Sequence, residues 1–164
     1  MRSYSKVHIE MVREKTVDCD MQPLSSLALA AEFGRSLYYK ENEKTIRSPS
    51  REIFTVCSIN SIGEVLAVEC TFIGTTSKAE VEMKEIFMSP ILSNAAAIIC
   101  YHNHPSGDPN PSVADNLLTK RLEQACALMD IPLHDHIILG EKGYYSYEEK
   151  KMSEWRNDSY EKAG

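Results

Sequence analysis

Residues 101–115 read YHNHPSGDPNPSVAD and follow the apolar run Ala95-Ala96-Ala97-Ile98-Ile99-Cys100. The run is short and β-compatible, so it predicts a buried strand that ends at the two histidines. Residues two apart on a strand project from one face, which lets His102 and His104 reach one ion. Pro105, Gly107, Pro109 and Pro111 then stop the strand and restrict the loop. From Ser112 onward, Ala114, Leu117, Leu118, Leu122, Ala125, Cys126 and Met129 recur near helical spacing. Ser112 reads as the N-cap of that helix and Asp115 as a residue of its first turn.

The flanking sequence extends this strand-loop-helix into a larger α/β unit. Residues 52–60 and 64–72 are β-rich and separated by Ser61-Ile62-Gly63, the pattern of a hairpin. Residues 24–39 and 78–93 read as helices, the second containing a late Pro90 that kinks it or ends it early. Further strands are expected at 131–139 and 144–147, with an edge strand or arm at 7–12 and a polar connection at 40–50. Residues 148–159 read as a charged, partly helical tail. The sum is a mixed β-sheet with helices on both faces, α/β in class.

The array H-x-H-x7-S-x2-D carries the chemistry: two imidazoles, a carboxylate and a hydroxyl at fixed intervals. A hydrolytic zinc site that keeps one coordination position open needs such a donor set. The positive end of the helix dipole favours an ionised Asp115, the form that binds metal. Ser-x-x-Asp by itself is also a capping box, and a single His-x-His at a strand end is commonly structural. Their combination across a proline-rich loop points to a metal. Other readings fail on spacing. HNH nucleases do not gather their signature residues into one tripeptide, and the H-x-E and P-C-x-x-C signature of zinc deaminases is missing. No separate base serves Ser112, which disfavours a Ser-His-Asp hydrolase.

The array resembles the metal motif of the JAB/MPN metalloproteases, the JAMM family, and the wording HNHPSGDPNPS resembles their RadC-like bacterial branch. The likeness runs over residues 51–147, including EIFMSPILSNAAAII before the histidines and IPLHDHIILG after them. It implies a single JAB/MPN-type domain of three-layer, cytidine-deaminase-like architecture. His102, His104 and Asp115 would then be zinc ligands, water the fourth, and Ser112 a hydrogen-bond donor to the oxyanion. The family also uses an upstream glutamate at the start of a strand, where Arg51-Glu52-Ile53-Phe54 fits, so Glu52 is the candidate base. Glu69, in the next strand, is its competitor, and Glu64 lies in the turn. The implied activity is hydrolysis of a peptide, isopeptide or small amide bond. The alternative is a non-catalytic MPN-fold module that binds a partner in a DNA-processing or other complex.

His134 and His136 form a second His-x-His beside Asp135. Such residues more often orient the ligands than bind metal, so Asp135 and His136 are candidates for that supporting role. Asn103 should point away from the histidines that flank it and brace the loop. His8 carries no assigned role.

The chain has 164 residues, which suits one core domain at 51–147 with an N-terminal extension at 1–50 and a tail at 148–164. A formal charge of −6 gives no strong nucleic-acid or anionic-membrane signal. The first fifty residues show no G-x-G hairpin of the helix-hairpin-helix kind carried by longer RadC-like proteins. Cys19, Cys57, Cys70, Cys100 and Cys126 are odd in number and lack C-x-x-C spacing, as expected of reduced core thiols. With no secretory h-region or membrane-spanning run, the expected compartment is the cytoplasm. A homo-oligomer is compatible with the sequence.

Overall fold

The computed structural model of the chain describes residues 22–40, 45–46, 51–73 and 81–155. In chain order the elements are α1 (Leu27–Tyr38), β1 (Tyr39–Lys40), β2 (Thr45–Ile46), β3 (Ile53–Ile59), β4 (Val65–Ile73), α2 (Met83–Leu92), β5 (Ala97–Asn103), α3 (Val113–Met129), β6 (Leu133–Leu139), β7 (Gly143–Ser146) and β8 (Lys151–Glu154). β1 and β2 form a small ladder of their own that runs from the last residue of the expected helix into the segment expected to be a connection. The remaining strands make one sheet in the order β4-β3-β5-β6-β7-β8. Among the described residues only β5 and β6 pair in parallel, and α3 supplies the crossover that a parallel pair requires.

Strand alternation divides the core into two layers. One face of the sheet buries Cys57, Ile59, Ile99, Tyr101, Ile137 and Leu139 against Ala30, Ala31 and Tyr38 of α1. The other buries Phe54, Val56, Ile98 and Cys100 against Ile86 and Phe87 of α2 and Leu122 and Cys126 of α3. The result is the three-layer α/β architecture expected from the sequence. β5 is covered on both faces, which explains why its sequence is a continuous apolar run rather than an alternating one.

One local contact fixes how α1 docks on the sheet, and another closes the β3–β4 hairpin. A Cβ at Gly34 would lie 2.4 Å from the Tyr101 ring, so only glycine lets α1 approach that close. The Tyr101 hydroxyl donates to Ala30 O at 3.0 Å in the same contact. In the β3–β4 turn, Asn60 Oδ1 accepts from the N–H groups of Ile62 (3.1 Å) and Glu64 (2.9 Å), and Gly63 takes φ +83°, where L side chains are strained.

The structure corrects several sequence expectations. The tail is not helical at its start: Lys151–Glu154 is a strand that pairs with β7. β7 offered an unpaired edge, and Trp155 locks the addition by donating from Nε1 to Gly140 O at 3.0 Å and packing on Tyr144. α3 keeps only part of its expected face inward: Leu118, Leu122, Ala125 and Cys126 pack into the core, and Ala114, Leu117 and Met129 do not. Its buried positions are Asp115, Thr119, Leu122 and Cys126, whereas Leu117 and Met129 are exposed. The polar residues Asp115 and Thr119 occupy the inward stripe at the N-terminal end because the site lies there. α2 begins at Met83 and keeps Pro90 in its last turn. The strand expected at 7–12, with His8 and Cys19, lies outside the described residues. Cys57, Cys100 and Cys126 are buried free thiols, and Cys70 is exposed. Burial pushes the Cys57 thiol up to about 12 and the Cys126 thiol up to about 11, so neither is poised for reaction.

Candidate metal centre

The end of β5 and the start of α3 meet at the carboxyl end of the parallel pair, where open α/β sheets commonly bind ligands. His102 occupies the penultimate position of β5 and is fully buried, while His104 follows the strand and is partly exposed. The loop between them and α3 is held by its own polar atoms and by a neighbouring turn. His104 Nδ1 lies 2.8 Å from Asp108 O, Gly107 N–H donates to His104 O at 2.9 Å, and Glu141 N–H donates to Gly107 O at 2.8 Å. A carbonyl can only accept, so a neutral His104 keeps its proton on Nδ1 and directs the Nε2 lone pair inward.

Ser112 caps α3. Its Oγ accepts from Asp115 N–H at 3.1 Å, and Asp115 Oδ2 accepts from Ser112 N–H at 2.7 Å. The capping box and the metal array are therefore one structure. The box fixes the Asp115 rotamer and leaves Oδ1 facing His102 Nε2 at 3.2 Å, with Oδ2 3.2 Å from His104 Nε2. The two Nε2 atoms are 3.1 Å apart. Glu52, just before β3, completes the group with Oε1 4.0 Å from His102 Nε2.

This donor set fits a small divalent cation. Ligand atoms of all four residues lie within 4.8 Å of one another. Bonds of about 2.0 Å in a tetrahedron require donors about 3.3 Å apart, close to the spacing of the two imidazoles and Asp115. Electrostatics agree with the geometry. Burial raises the Asp115 carboxyl, but its contacts with the His102 and His104 imidazoles outweigh that and hold it well below the usual carboxylate range. The Asp115 carboxylate in turn raises the His104 imidazole against the opposing effect of burial.

The other sequence candidates separate. Asn103 points away from the centre and holds Arg51 and Ile53. His136 Nε2 lies 2.8 Å from His102 Nδ1, so His136 directly supports a donor. Burial holds its imidazole well below the ordinary histidine value, which keeps it neutral. Asp135 does not join the centre. It faces the opposite side of β6, accepting from Ser146 Oγ at 2.6 Å and Glu148 N–H at 3.0 Å, and so ties down the turn after β7. His134 is exposed. Glu69 on β4 stands opposite Val56 of β3, whereas His102 stands opposite Phe54, so Glu69 lies away from the centre. Thr119, which apolar periodicity does not single out, also supports the centre, with its Oγ1 2.7 Å from His136 Nδ1. Its signal was the four-residue spacing from Asp115 on one helix face.

Fold and site together define a three-layer α/β domain with a candidate metal centre at the end of its central strand. The chain belongs to the RadC-like JAB domain family, whose model matches residues 34–152. It is 38% identical over 144 residues to a UPF0758 protein of Alkaliphilus metalliredigens (strain QYMF), covering 78% of this chain and 62% of that one. It is 43% identical over 107 residues to a UPF0758 protein of Actinobacillus pleuropneumoniae serotype 5b (strain L20), covering 65% and 49%. It is 42% identical over 99 residues to UPF0758 protein YeeS of Escherichia coli (strain K12), covering 60% and 67%. The chain thus spans between about half and three-fifths of the length of the first two relatives.

Proposed function

We propose that this domain is a zinc-dependent amide hydrolase of the JAMM type, acting on a peptide, isopeptide or related small amide. The observation that carries the reading is the placement of Glu52 beside a three-donor centre built from His102, His104 and Asp115. Two imidazoles and a carboxylate suit zinc, and three protein donors leave a position for substrate or water. Zinc bound there would acidify water and polarise the scissile carbonyl.

The chain's own groups then divide the remaining work. The Glu52 side chain is half-exposed beside the centre, where it takes a proton from the attacking water and returns it to the leaving nitrogen. Ser112 Oγ uses a lone pair to cap α3, so its hydroxyl proton is available to a developing oxyanion. Asn103 holds the backbone on both sides of Glu52 and thereby aims it.

A binding module needs no base, and Glu52 at the edge of the donor cluster favours the enzyme over that alternative. Acidic charge and buried free thiols suit a reducing cytoplasmic setting without nucleic acid as the main partner. No helix among the described residues is long and apolar enough to cross a membrane. The test is turnover of a quenched-fluorescence peptide and isopeptide library by zinc-loaded protein, with Glu52→Gln as control. Cleavage that the variant loses supports the enzyme; equal signals from both, with a captured unhydrolysed ligand, support the binding module.

A further inference from the structure

We propose that Thr119 and His136 form a hydrogen-bonded relay that fixes His102 in the one tautomer able to bind metal, which makes both of them positioning residues. The inference rests on the metal-centre reading and adds to it residues outside the donor set.

The proton assignments follow one another. For His102 Nε2 to present a lone pair to a cation, the neutral ring must keep its proton on Nδ1. That N–H faces His136 Nε2 at 2.8 Å, so His136 Nε2 accepts and the His136 proton sits on Nδ1. His136 Nδ1 faces Thr119 Oγ1 at 2.7 Å, so Thr119 accepts there. The Thr119 hydroxyl proton is then directed to Asp115 O at 2.8 Å, one helical turn back. The relay therefore starts at one metal-donor residue, His102, and ends on the backbone of another, Asp115.

Burial gives the relay its leverage. His102 and His136 are 0% exposed and Thr119 3%, so water cannot replace a lost partner. Run in reverse, with Thr119 donating to His136, the same chain would put a proton on His102 Nε2, where the metal must bind. The Asp115 carbonyl favours the productive direction by accepting the Thr119 proton. Ring orientation is fixed separately: Tyr147 stacks on His136 with centroids 5.1 Å apart and planes 7° apart, and Phe54 stacks on His102 at 6.1 Å.

The test compares Thr119→Val, which keeps shape but removes the hydroxyl, with Thr119→Ser, which keeps it. Zinc affinity is measured by chelator competition, and imidazole tautomers by 15N NMR of the zinc-loaded wild type. Loss of a partner behind a ligand typically costs 10–100-fold in metal affinity, so Thr119→Val should weaken zinc by that factor while Thr119→Ser recovers most of it. The spectra should show His136 protonated at Nδ1 and bare at Nε2. Wild-type affinity in folded Thr119→Val, or His136 protonated at Nε2, overturns the relay while leaving the metal centre standing. A wild-type chain that takes up no zinc overturns the metal-centre reading and the relay together.

Discussion

Asn103 lies between the two imidazoles in sequence, yet its side-chain amide holds Ile53 across the sheet. Ile53 N–H donates to Asn103 Oδ1 at 2.9 Å, and Asn103 Nδ2 donates to Arg51 O at 3.0 Å. The main-chain register of β3 with β5 ends at Phe54 and His102, so the Asn103 side chain extends the pairing past the last backbone partner. Glu52 sits between the two residues so held. Asn103→Ala should leave Ile53 N–H without its partner, at a cost of about 1–3 kcal/mol of stability. It should lower kcat while zinc affinity stays near wild type, checked by thermal melts, chelator competition and turnover.

Purified protein should carry about one zinc per chain by elemental analysis, and His102→Ala, His104→Ala or Asp115→Ala should lose it. A ligand held only by the folded state stabilises by about 2.7 kcal/mol at a hundred times its dissociation constant. Chelation should therefore lower Tm reversibly in the wild type and hardly at all in the three variants.

Glu52→Gln should retain fold and zinc but lose most turnover, because the amide keeps the size of the side chain and cannot accept the water proton. Glu69→Gln should change turnover little, since the ladder sets Glu69 against Val56 and away from His102. Equal turnover in wild type and Glu52→Gln, at full zinc occupancy, would remove Glu52 from the base role.

Ser112 serves the cap with its lone pair and is assigned the oxyanion with its proton, so the two roles separate by substitution. Ser112→Ala should cost about 1 kcal/mol of stability and depress kcat by about 10²–10³-fold, as removal of other oxyanion donors does. Ser112→Asp can retain the cap without the hydroxyl. Normal kcat in that variant would leave Ser112 as a cap alone.

The His104 shift sets the direction of a pH effect. Asp115 raises His104 above its ordinary value of about 6.5, so the metal-free protein still holds a proton there when an isolated imidazole would not. In the metal-free chain this stabilisation is complete below about pH 6.5 and is lost as pH rises through the folded pKa. Zinc must displace that proton. As pH falls below the folded value, zinc affinity should therefore drop by about tenfold per unit for one proton released. Affinity titrations from pH 6 to 8 read the slope, and a flat profile would contradict coupling between His104 and the metal.

The sequence by itself determined what short separations control. The apolar strand, the proline-rich loop and the Ser112 cap lie in one strand-loop-helix, so spacing alone brings His102, His104 and Asp115 within reach of one ion. The hairpin at Ser61-Ile62-Gly63 and the α/β class were legible for the same reason. Tertiary structure decided the rest, because it depends on pairing and packing between distant segments. Glu52 joins the centre only because β3 lies beside β5, and Glu69 is excluded because the same ladder sets it against Val56. Thr119 and His136 meet only through the α3 crossover onto β6. The tail residues became β8 because β7 left an open edge, and α3 turned Leu117 outward because the buried site claimed that stripe for Asp115 and Thr119. Local periodicity records which residues are apolar, whereas the buried face of a helix is set by what it must pack against, and here that was a polar centre.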